Sequence, residues 1–228
     1  RLLLRAFARY RNVMITGARG LTKTFIVVAS KMHEGIFFPG EKIRYSAPAQ
    51  NQAATLASQA FKAIDSEYPI FASWWSKNND RQDMFRITTP YGSEFTMYAP
   101  RGDNCSSLVG EEIGQEGENG FDFAAFEREV SPTNRLTRKI LGEEDPVHIN
   151  LKEDYIGNAS SQQNRAFTTY RASALKSMLY GEPYEGFCAD ISWVTALMAN
   201  IRDAAYYKKE KVKLSTQDWL REMCVRYT

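Results

Sequence analysis

Cysteine and histidine are scarce in this chain of 228 residues. The three cysteines, Cys105, Cys188 and Cys224, lie far apart, and the two histidines are His33 and His148. An odd number of distant cysteines argues against a disulfide framework, and the lack of a CxxC pair argues against a zinc site. A reducing, cytoplasmic setting is therefore the expectation.

Long hydrophobic runs and a strong excess of one charge are also missing. The longest tight apolar run, Phe25 to Ala29, falls far short of the roughly 20 residues of a membrane-spanning helix, so no membrane partner is expected. Arg1 to Arg5 is too short for the core of a signal peptide. Lysine and arginine number 29 against 27 acidic residues. A net charge of +2 excludes a polybasic tail as the main feature but allows a local basic stripe.

The apolar residues that are present alternate between strand and helix periods, which predicts an α/β fold. Composition, with 43% hydrophobic and 25% charged residues, fits one large domain or one domain with a small appendage. Predicted strands cover 12–16, 42–47, 85–89, 94–99, 105–110 and 147–156, and predicted helices cover 22–33, 52–64, 122–129, 167–180, 193–207 and 215–227. The strands around Pro90-Tyr91-Gly92-Ser93 predict a hairpin.

Two boundaries follow from the same pattern. The acidic, glycine-rich stretch at 114–120 predicts a linker, and from Gln162 onward the pattern predicts helices alone. We therefore expect a core domain at 1–161 and a small helical subdomain or linker region at 162–228.

The segment between the first strand and the first long helix is typical of a phosphate-binding loop. Gly17, Lys23 and Thr24 match the pattern G-x-x-x-x-G-K-[ST], and Thr22 stands where the second glycine is expected. Backbone N–H groups of such a loop, at a helix N-terminus, bind anions. Lys23 would reach the β- and γ-phosphates, and the Thr24 hydroxyl would ligate Mg²⁺.

The predicted nucleotide contacts are Gly17, Ala18, Arg19, Gly20, Leu21, Thr22, Lys23 and Thr24. The alternative is a helix-capping turn that happens to carry glycine and lysine.

Two carboxylates follow the predicted strand at 105–110. A P-loop ATPase needs an acid at the end of a neighbouring strand for the Mg²⁺ shell, and it usually needs a second acid to activate water. Glu111 stands where the metal-side aspartate is normally found, and Glu112 where the catalytic glutamate is. The alternative is a pair of exposed glutamates after a strand.

With these motifs in order, the chain resembles the ATPase domain of tailed-phage terminase large subunits, the DNA-packaging motors. Four features carry the resemblance. They are Gly17-Ala18-Arg19-Gly20 before Lys23-Thr24; Tyr45-Ser46-Ala47-Pro48 before Gln50 and Gln52-Ala53; Arg101-Gly102 before the two glutamates; and Tyr155-Ile156-Gly157-Asn158-Ala159-Ser160-Ser161, which is similar to the family's coupling motif. The chain departs from the family pattern at Thr22 and at Glu111.

The resemblance implies an ASCE-type P-loop fold, with a mainly parallel central sheet flanked by helices, that uses ATP and Mg²⁺. It implies a homo-oligomeric ring, usually a pentamer, with double-stranded DNA, the portal protein and the terminase small subunit as partners. The ring would work in the host cytoplasm, docked on the viral procapsid. The family's nuclease domain is expected to be absent, because the chain ends at Thr228. The adenine-contacting segment is expected to lie upstream of Arg1.

The resemblance also assigns roles to single residues. Glu111 would hold the metal shell and Glu112 would be catalytic. Asn158 would contact the nucleotide and, with Ser160, report loss of the γ-phosphate. Arg19 is the first candidate for the arginine that stabilises transition-state charge. Further candidates that could act across a subunit boundary are Arg101, Arg128, Arg135 and Arg138.

DNA contacts and competing functions stay open at this point. Lys208, Lys209, Lys211 and Lys213 could meet DNA phosphates or form a solvated loop between helices. A helicase-like P-loop ATPase would have a similar motif order. Thr22 and Glu111 favour a third possibility, a degenerate nucleotide-binding scaffold without turnover.

Overall fold

An eight-stranded sheet organises the computed structural model, which describes residues 1–77, 86–97, 104–115, 121–127 and 151–228. Its strands are β1 Asn12–Gly17, β2 Lys42–Ser46, β3 Ser76–Lys77, β4 Arg86–Thr88, β5 Glu94–Thr96, β6 Ser107–Glu111, β7 Lys152–Gly157 and β8 Gly186–Ile191. The helices are α1 Leu2–Arg9, α2 Lys23–Phe37, α3 Gln50–Glu67, α4 Pro69–Ala72, α5 Phe123–Ala125, α6 Ala172–Tyr180, α7 Trp193–Met198, α8 Ala204–Lys213 and α9 Thr216–Glu222, with a π-helical stretch at Ala166–Arg171 before α6.

The strands follow the order β3-β4-β5-β2-β6-β7-β1-β8. Every pairing from β5 to β8 is parallel. The predicted hairpin is the antiparallel pair of β4 and β5, and β3, which was not predicted, pairs antiparallel with β4 at the edge. Strand β7 lies between β1 and β6. Its residue Ile156 pairs with Ile15 of β1 on one side and with Glu111 of β6 on the other. Because parallel strands end at the same edge of a sheet, the loops after β1, β6 and β7 are neighbours. The predicted α/β fold with a mainly parallel, helix-flanked sheet is confirmed.

Both faces of the sheet are covered, which explains the near-continuous burial of the central strands. All five residues of β6 are buried. On one face Val13 and Ile15 pack with Val27 and Val28 of α2 in the largest core cluster. On the other face Met14 packs with Leu108, Tyr155 and Ala174. Alternate residues of β1 therefore serve two cores, as the strand period requires.

The C-terminal part differs from the prediction in two places. Residues 162–228 are not helices alone, because Gly186–Ile191 forms β8, which pairs with β1. The predicted continuous helix at 193–207 is wrong, since it divides into α7 and α8. Asn200 has a φ of 53° after α7, and the Asp203 side chain accepts a hydrogen bond from the Tyr206 N–H and starts a new helix. The proposed boundary at 161 stays a prediction.

Several predicted features lie wholly or partly outside the described residues. These are the first residue of the strand at 85–89, the end of the strand at 94–99, the Arg101-Gly102 motif, most of the linker at 114–120, the end of the helix at 122–129, and the start of the strand at 147–156. Within the described ranges, no helix combines the length and the apolar character needed to cross a membrane.

Candidate nucleotide-binding site

The loop from Gly17 to Thr24 connects β1 to α2 through two left-handed backbone positions. Gly20 has a φ of 83°, and Thr22, the residue before α2, has φ 58° and ψ 32°. Glycine adopts this conformation readily, whereas a β-branched residue is a genuine outlier there. The structure thus explains why the pattern asks for glycine at this position. The chain keeps the loop conformation with threonine, at a strain of about 1–3 kcal/mol.

Lys23, the first residue of α2, turns its side chain back into this loop. Its Nζ donates to the carbonyl oxygens of Gly17 (2.9 Å) and Ala18 (3.3 Å) and to Oδ1 of Asn158 (2.8 Å). Burial lowers the pKa of Lys23, and the nearby carboxylates of Glu112 and Glu111 oppose that shift. The lysine therefore links the loop after β1 to the loop after β7, and it has no direct ion pair among the described residues.

Thr24 and Glu111 form the second contact of the site. The Thr24 hydroxyl donates a hydrogen bond to Oε1 of Glu111, the last residue of β6. Glu111 is buried, and burial raises its pKa to about 8, although the bond from Thr24 opposes the shift. Its other oxygen, Oε2, is buried and has no hydrogen-bond partner within the described residues. An unsatisfied buried carboxylate oxygen calls for an explanation, and a cation would supply one.

Glu112 faces the open side of the same edge. Its backbone φ is 54°, so the chain turns sharply after β6 and the two neighbouring carboxylates point in different directions. Glu111 lies in the interior, while Glu112 lines the pocket. The turn is packed closely, because a Cβ on Gly114 would overlap the carbonyl oxygen of Asn158.

These groups enclose a cavity of about 520 Å³. Its lining comprises Arg19, Gly20, Leu21, Thr22, Lys23, Thr24, Gln52, Glu112, Gly114, Gln115, Asn158, Ala159, Ser160, Asp218, Arg221 and Glu222. Residues 19–24 of the predicted phosphate loop thus line one cavity with Glu112, Asn158 and Gln52, whereas the predicted contacts Gly17 and Ala18 are not among the lining residues. Lys23 and Thr24 contact Asn158 and Glu111 directly. The chemical roles of these residues stay predictions.

The wall contributed by α9 was missed by sequence reasoning. Asp218, Arg221 and Glu222 lie on a helix whose apolar spacing indicates packing, and the sequence carries no signal for their place in the pocket. The Arg19 N–H donates to the Glu222 carbonyl oxygen (2.9 Å), and the Arg19 guanidinium forms an ion pair with the Glu222 carboxylate (2.7 Å). Buried Leu21 packs with Met223. The C-terminal segment therefore docks on the phosphate loop itself.

Other predicted functional residues lie elsewhere. Arg101, Arg128, Arg135 and Arg138 are outside the described residues. The basic cluster does not form a loop between helices, as one interpretation had it. Its lysines lie exposed on α8, namely Lys208, Lys209, Lys211 and Lys213.

Comparison with known proteins gives a fold likeness without a sequence match. No family model and no curated protein matches the chain. The large terminase of a thermophilic bacteriophage, in complex with ATP-γ-S, aligns with a TM-score of 0.68 at 10% identity over 96% of this chain and 48% of that one. The large terminase of bacteriophage HK97 aligns with a TM-score of 0.65 at 14% identity over 95% and 46%.

The large-terminase ATPase domain of Thermus phage P74-26 aligns with a TM-score of 0.62 at 12% identity, over 96% of this chain and 89% of that domain. The chain spans about half the length of the first two terminases, whereas it spans most of the isolated P74-26 domain. These matches show that the chain has the fold of a large-terminase ATPase domain, as the resemblance in the sequence predicts.

Proposed function

We propose that this chain is the ATPase domain of a large terminase, and that it hydrolyses ATP to drive double-stranded DNA into a viral procapsid. The observation that carries the proposal is that Lys23, Thr24, Glu112 and Asn158 line one cavity and that buried Glu111 accepts a hydrogen bond from Thr24. The cavity lies where three neighbouring parallel strands, β1, β7 and β6, end. Ligands of open parallel sheets bind at this edge.

The loop supplies the phosphate-binding groups. Its backbone and the N-terminus of α2 favour an anion, and the Lys23 ammonium is already held among oxygen atoms that phosphate oxygens can replace. The large terminase of the thermophilic bacteriophage was solved with ATP-γ-S and with ADP. This likeness supports a nucleoside di- or triphosphate as the ligand here.

The residues present fit a magnesium ion. Thr24 and Glu111 offer a hydroxyl and a buried carboxylate with one unsatisfied oxygen. Among the described residues, no group of three His, Cys, Asp or Glu side chains could hold a metal alone. Mg²⁺ in phosphoryl-transfer sites takes few protein ligands and completes its shell with phosphate oxygens and water. When bound, the ion would neutralise developing charge on the phosphates.

In the proposed reaction Glu112, which lines the cavity, activates the attacking water. A water oxygen forms a bond to the γ-phosphorus, its proton passes to the Glu112 carboxylate, and the bond to the β–γ bridging oxygen breaks to release ADP. Such a general base contributes typically about 10²–10⁴-fold. Arg19 would stabilise the transition-state charge, for which its guanidinium must leave Glu222.

The partners follow from the proposed class of protein. A homo-oligomeric ring, the portal protein, the terminase small subunit and the procapsid in the host cytoplasm belong to this proposal. The exposed lysines of α8 give one surface that could contact the DNA backbone, whose charge makes such binding salt-dependent.

The proposal is tested by measuring Mg²⁺-ATP binding and phosphate release over a range of protein concentrations. The proteins compared are wild type, Lys23→Ala and Lys176→Ala. Lys176 is an exposed lysine of α6 and serves as the matched control. Wild type and the control should bind, Lys23→Ala should not, and turnover should rise with protein concentration if neighbouring subunits complete the site. Absence of nucleotide binding by the wild type would favour the degenerate scaffold, and strand separation of a forked duplex would favour a helicase.

A further inference from the structure

Helix α9 forms part of the wall of the pocket, and its last residues contact the phosphate loop. Met223, the residue after α9, is fully buried beside Leu21, and its carbonyl oxygen accepts a hydrogen bond from the Trp193 N–H (2.9 Å). The Glu222 carbonyl oxygen accepts the Arg19 N–H (2.9 Å). The side chains at the end of α9 are therefore held next to the loop that would bind phosphate.

Two guanidinium groups line this side of the pocket, and they differ in their partners. Arg19 forms an ion pair with Glu222. Arg221 has no carboxylate within ion-pair distance in the described part of the chain, and its hydrogen bond there runs from Nε to the Thr228 hydroxyl oxygen (2.6 Å). Asp218 lies one turn earlier on α9 but accepts a hydrogen bond from the Ser215 hydroxyl instead (2.6 Å).

The Thr228 contact occupies the side of the guanidinium next to the stem and leaves the two terminal amino groups for another acceptor. Those groups form the flat fork that matches two oxygens of a phosphate. Arg221 thus lines the cavity without a counter-ion among the described residues, so a phosphate group of a bound ligand can serve as its partner.

We infer that Arg221 is a phosphate-binding residue, which the C-terminal segment contributes to the outer phosphates of a nucleoside triphosphate. The inference rests on the proposed nucleotide site and adds to it a cation from the same chain. It also connects ligand and tail, because the Thr228 carbonyl oxygen accepts a hydrogen bond from the Gln162 N–H, next to the coupling motif (3.2 Å). The neighbouring Tyr227 hydroxyl is hydrogen-bonded to Thr16 of β1 (2.6 Å).

Arg221→Gln tests the inference, with Arg226→Gln as the matched control. Arg226 is exposed on the same segment and does not line the cavity, so the control removes the same charge without touching the ligand. The dissociation constants of Mg²⁺-ATP-γ-S and of ADP are measured for both variants and for wild type. Loss of a charge-assisted hydrogen bond should weaken ATP-γ-S binding by about tenfold or more in Arg221→Gln. Binding by Arg226→Gln should stay within about twofold, as for a screened surface charge.

Further measurements distinguish loss of the Arg221 contact from loss of the fold and from failure of the proposed function. A smaller loss for ADP than for ATP-γ-S supports contact with the outer phosphates, and melting of the ligand-free variants shows whether the fold is kept. If Arg221→Gln does not fold, Arg221→Lys replaces it as the test, because lysine keeps the positive charge but lacks the two-pronged guanidinium. Weaker ATP-γ-S binding by Arg221→Lys then supports the inference, and unchanged binding overturns it. Equal losses in Arg221→Gln and Arg226→Gln also overturn it. If Arg221→Gln binds ATP-γ-S as tightly as wild type while Lys23→Ala does not bind it, only this inference is overturned. If the wild type itself does not bind nucleotide, the proposed function is overturned as well.

Discussion

Helix α2 carries two buried lysines in opposite electrostatic settings. Lys23 at its start donates to two carbonyl oxygens and one amide oxygen. Lys31, further along, contacts Asp154 (2.6 Å), Glu34 (2.9 Å) and the Ser107 hydroxyl (2.6 Å). Burial lowers the pKa of both lysines. At Lys31 the two carboxylates outweigh burial and raise the pKa above its ordinary value, whereas at Lys23 burial prevails.

Strands β6 and β7 contribute residues both to the Lys31 ion cluster and to the nucleotide site around Lys23. β6 has Ser107 at its start and Glu111 at its end, and β7 contains Asp154 and leads to Asn158. In the interior, buried charges are matched with opposite charges, as burial requires. At the sheet edge, Glu111 contacts the Thr24 hydroxyl and no cation among the described residues, and Thr22 and Glu112 adopt left-handed backbones. Unmatched charge together with local strain distinguishes a binding site from a structural ion cluster.

The largest expected effect is on stability, from Lys31→Met compared with Lys23→Met. Lys31→Met leaves Asp154 buried without its closest cation, so the free energy of unfolding should fall by about 3–5 kcal/mol. Lys23→Met removes a buried charge along with its hydrogen bonds, so stability should change by only about 1 kcal/mol while nucleotide binding is lost. Urea unfolding and nucleotide titration measure the two effects. Similar losses of stability in both variants would remove the distinction between the two sites.

The next effect is on turnover. Glu112→Gln keeps the size of the side chain but cannot accept a proton, so phosphate release should fall by about 100-fold or more while ATP affinity stays near wild type. Glu67→Gln, the same change at an exposed position on α3, is the control and should leave the rate unchanged. Full turnover in Glu112→Gln would assign the catalytic base to another residue.

The smallest effect concerns backbone strain at the loop. Thr22→Gly should stabilise the protein by about 0.5–1 kcal/mol, because the relief of left-handed strain exceeds the extra entropy of glycine in the unfolded chain. Thr216→Gly, at the start of α9, should instead destabilise it, since glycine is a poor helix former. Thermal unfolding of both variants gives the comparison. A lower melting temperature for Thr22→Gly would mean that the threonine side chain contributes more than its conformation costs.

Local patterns predicted the elements that carry the phosphate loop. The run of apolar residues before Gly17 and the helical spacing after Thr22 were sufficient for β1 and α2. Two neighbouring glutamates after a buried strand were enough to place Glu111 and Glu112 at one end of β6. β8 was missed because its residues are half-buried at the sheet edge and show no clear alternation. The break between α7 and α8 depends on a single capping aspartate, which periodicity does not register.

The amino-acid sequence was therefore enough for the α/β class, the phosphate loop and the order of the motifs along the chain, because each depends on residues close together. Only the tertiary structure showed in which direction the Glu111 and Glu112 carboxylates point and that α9 docks on the loop. It also showed the ion pair of Arg19 with Glu222 and the lack of a carboxylate partner for Arg221 within the described residues. The contacts between α9 and the loop join residues about 200 positions apart, and such contacts arise only when strands pair and helices pack. That long-range packing makes an ordinary amphipathic helix one wall of the pocket.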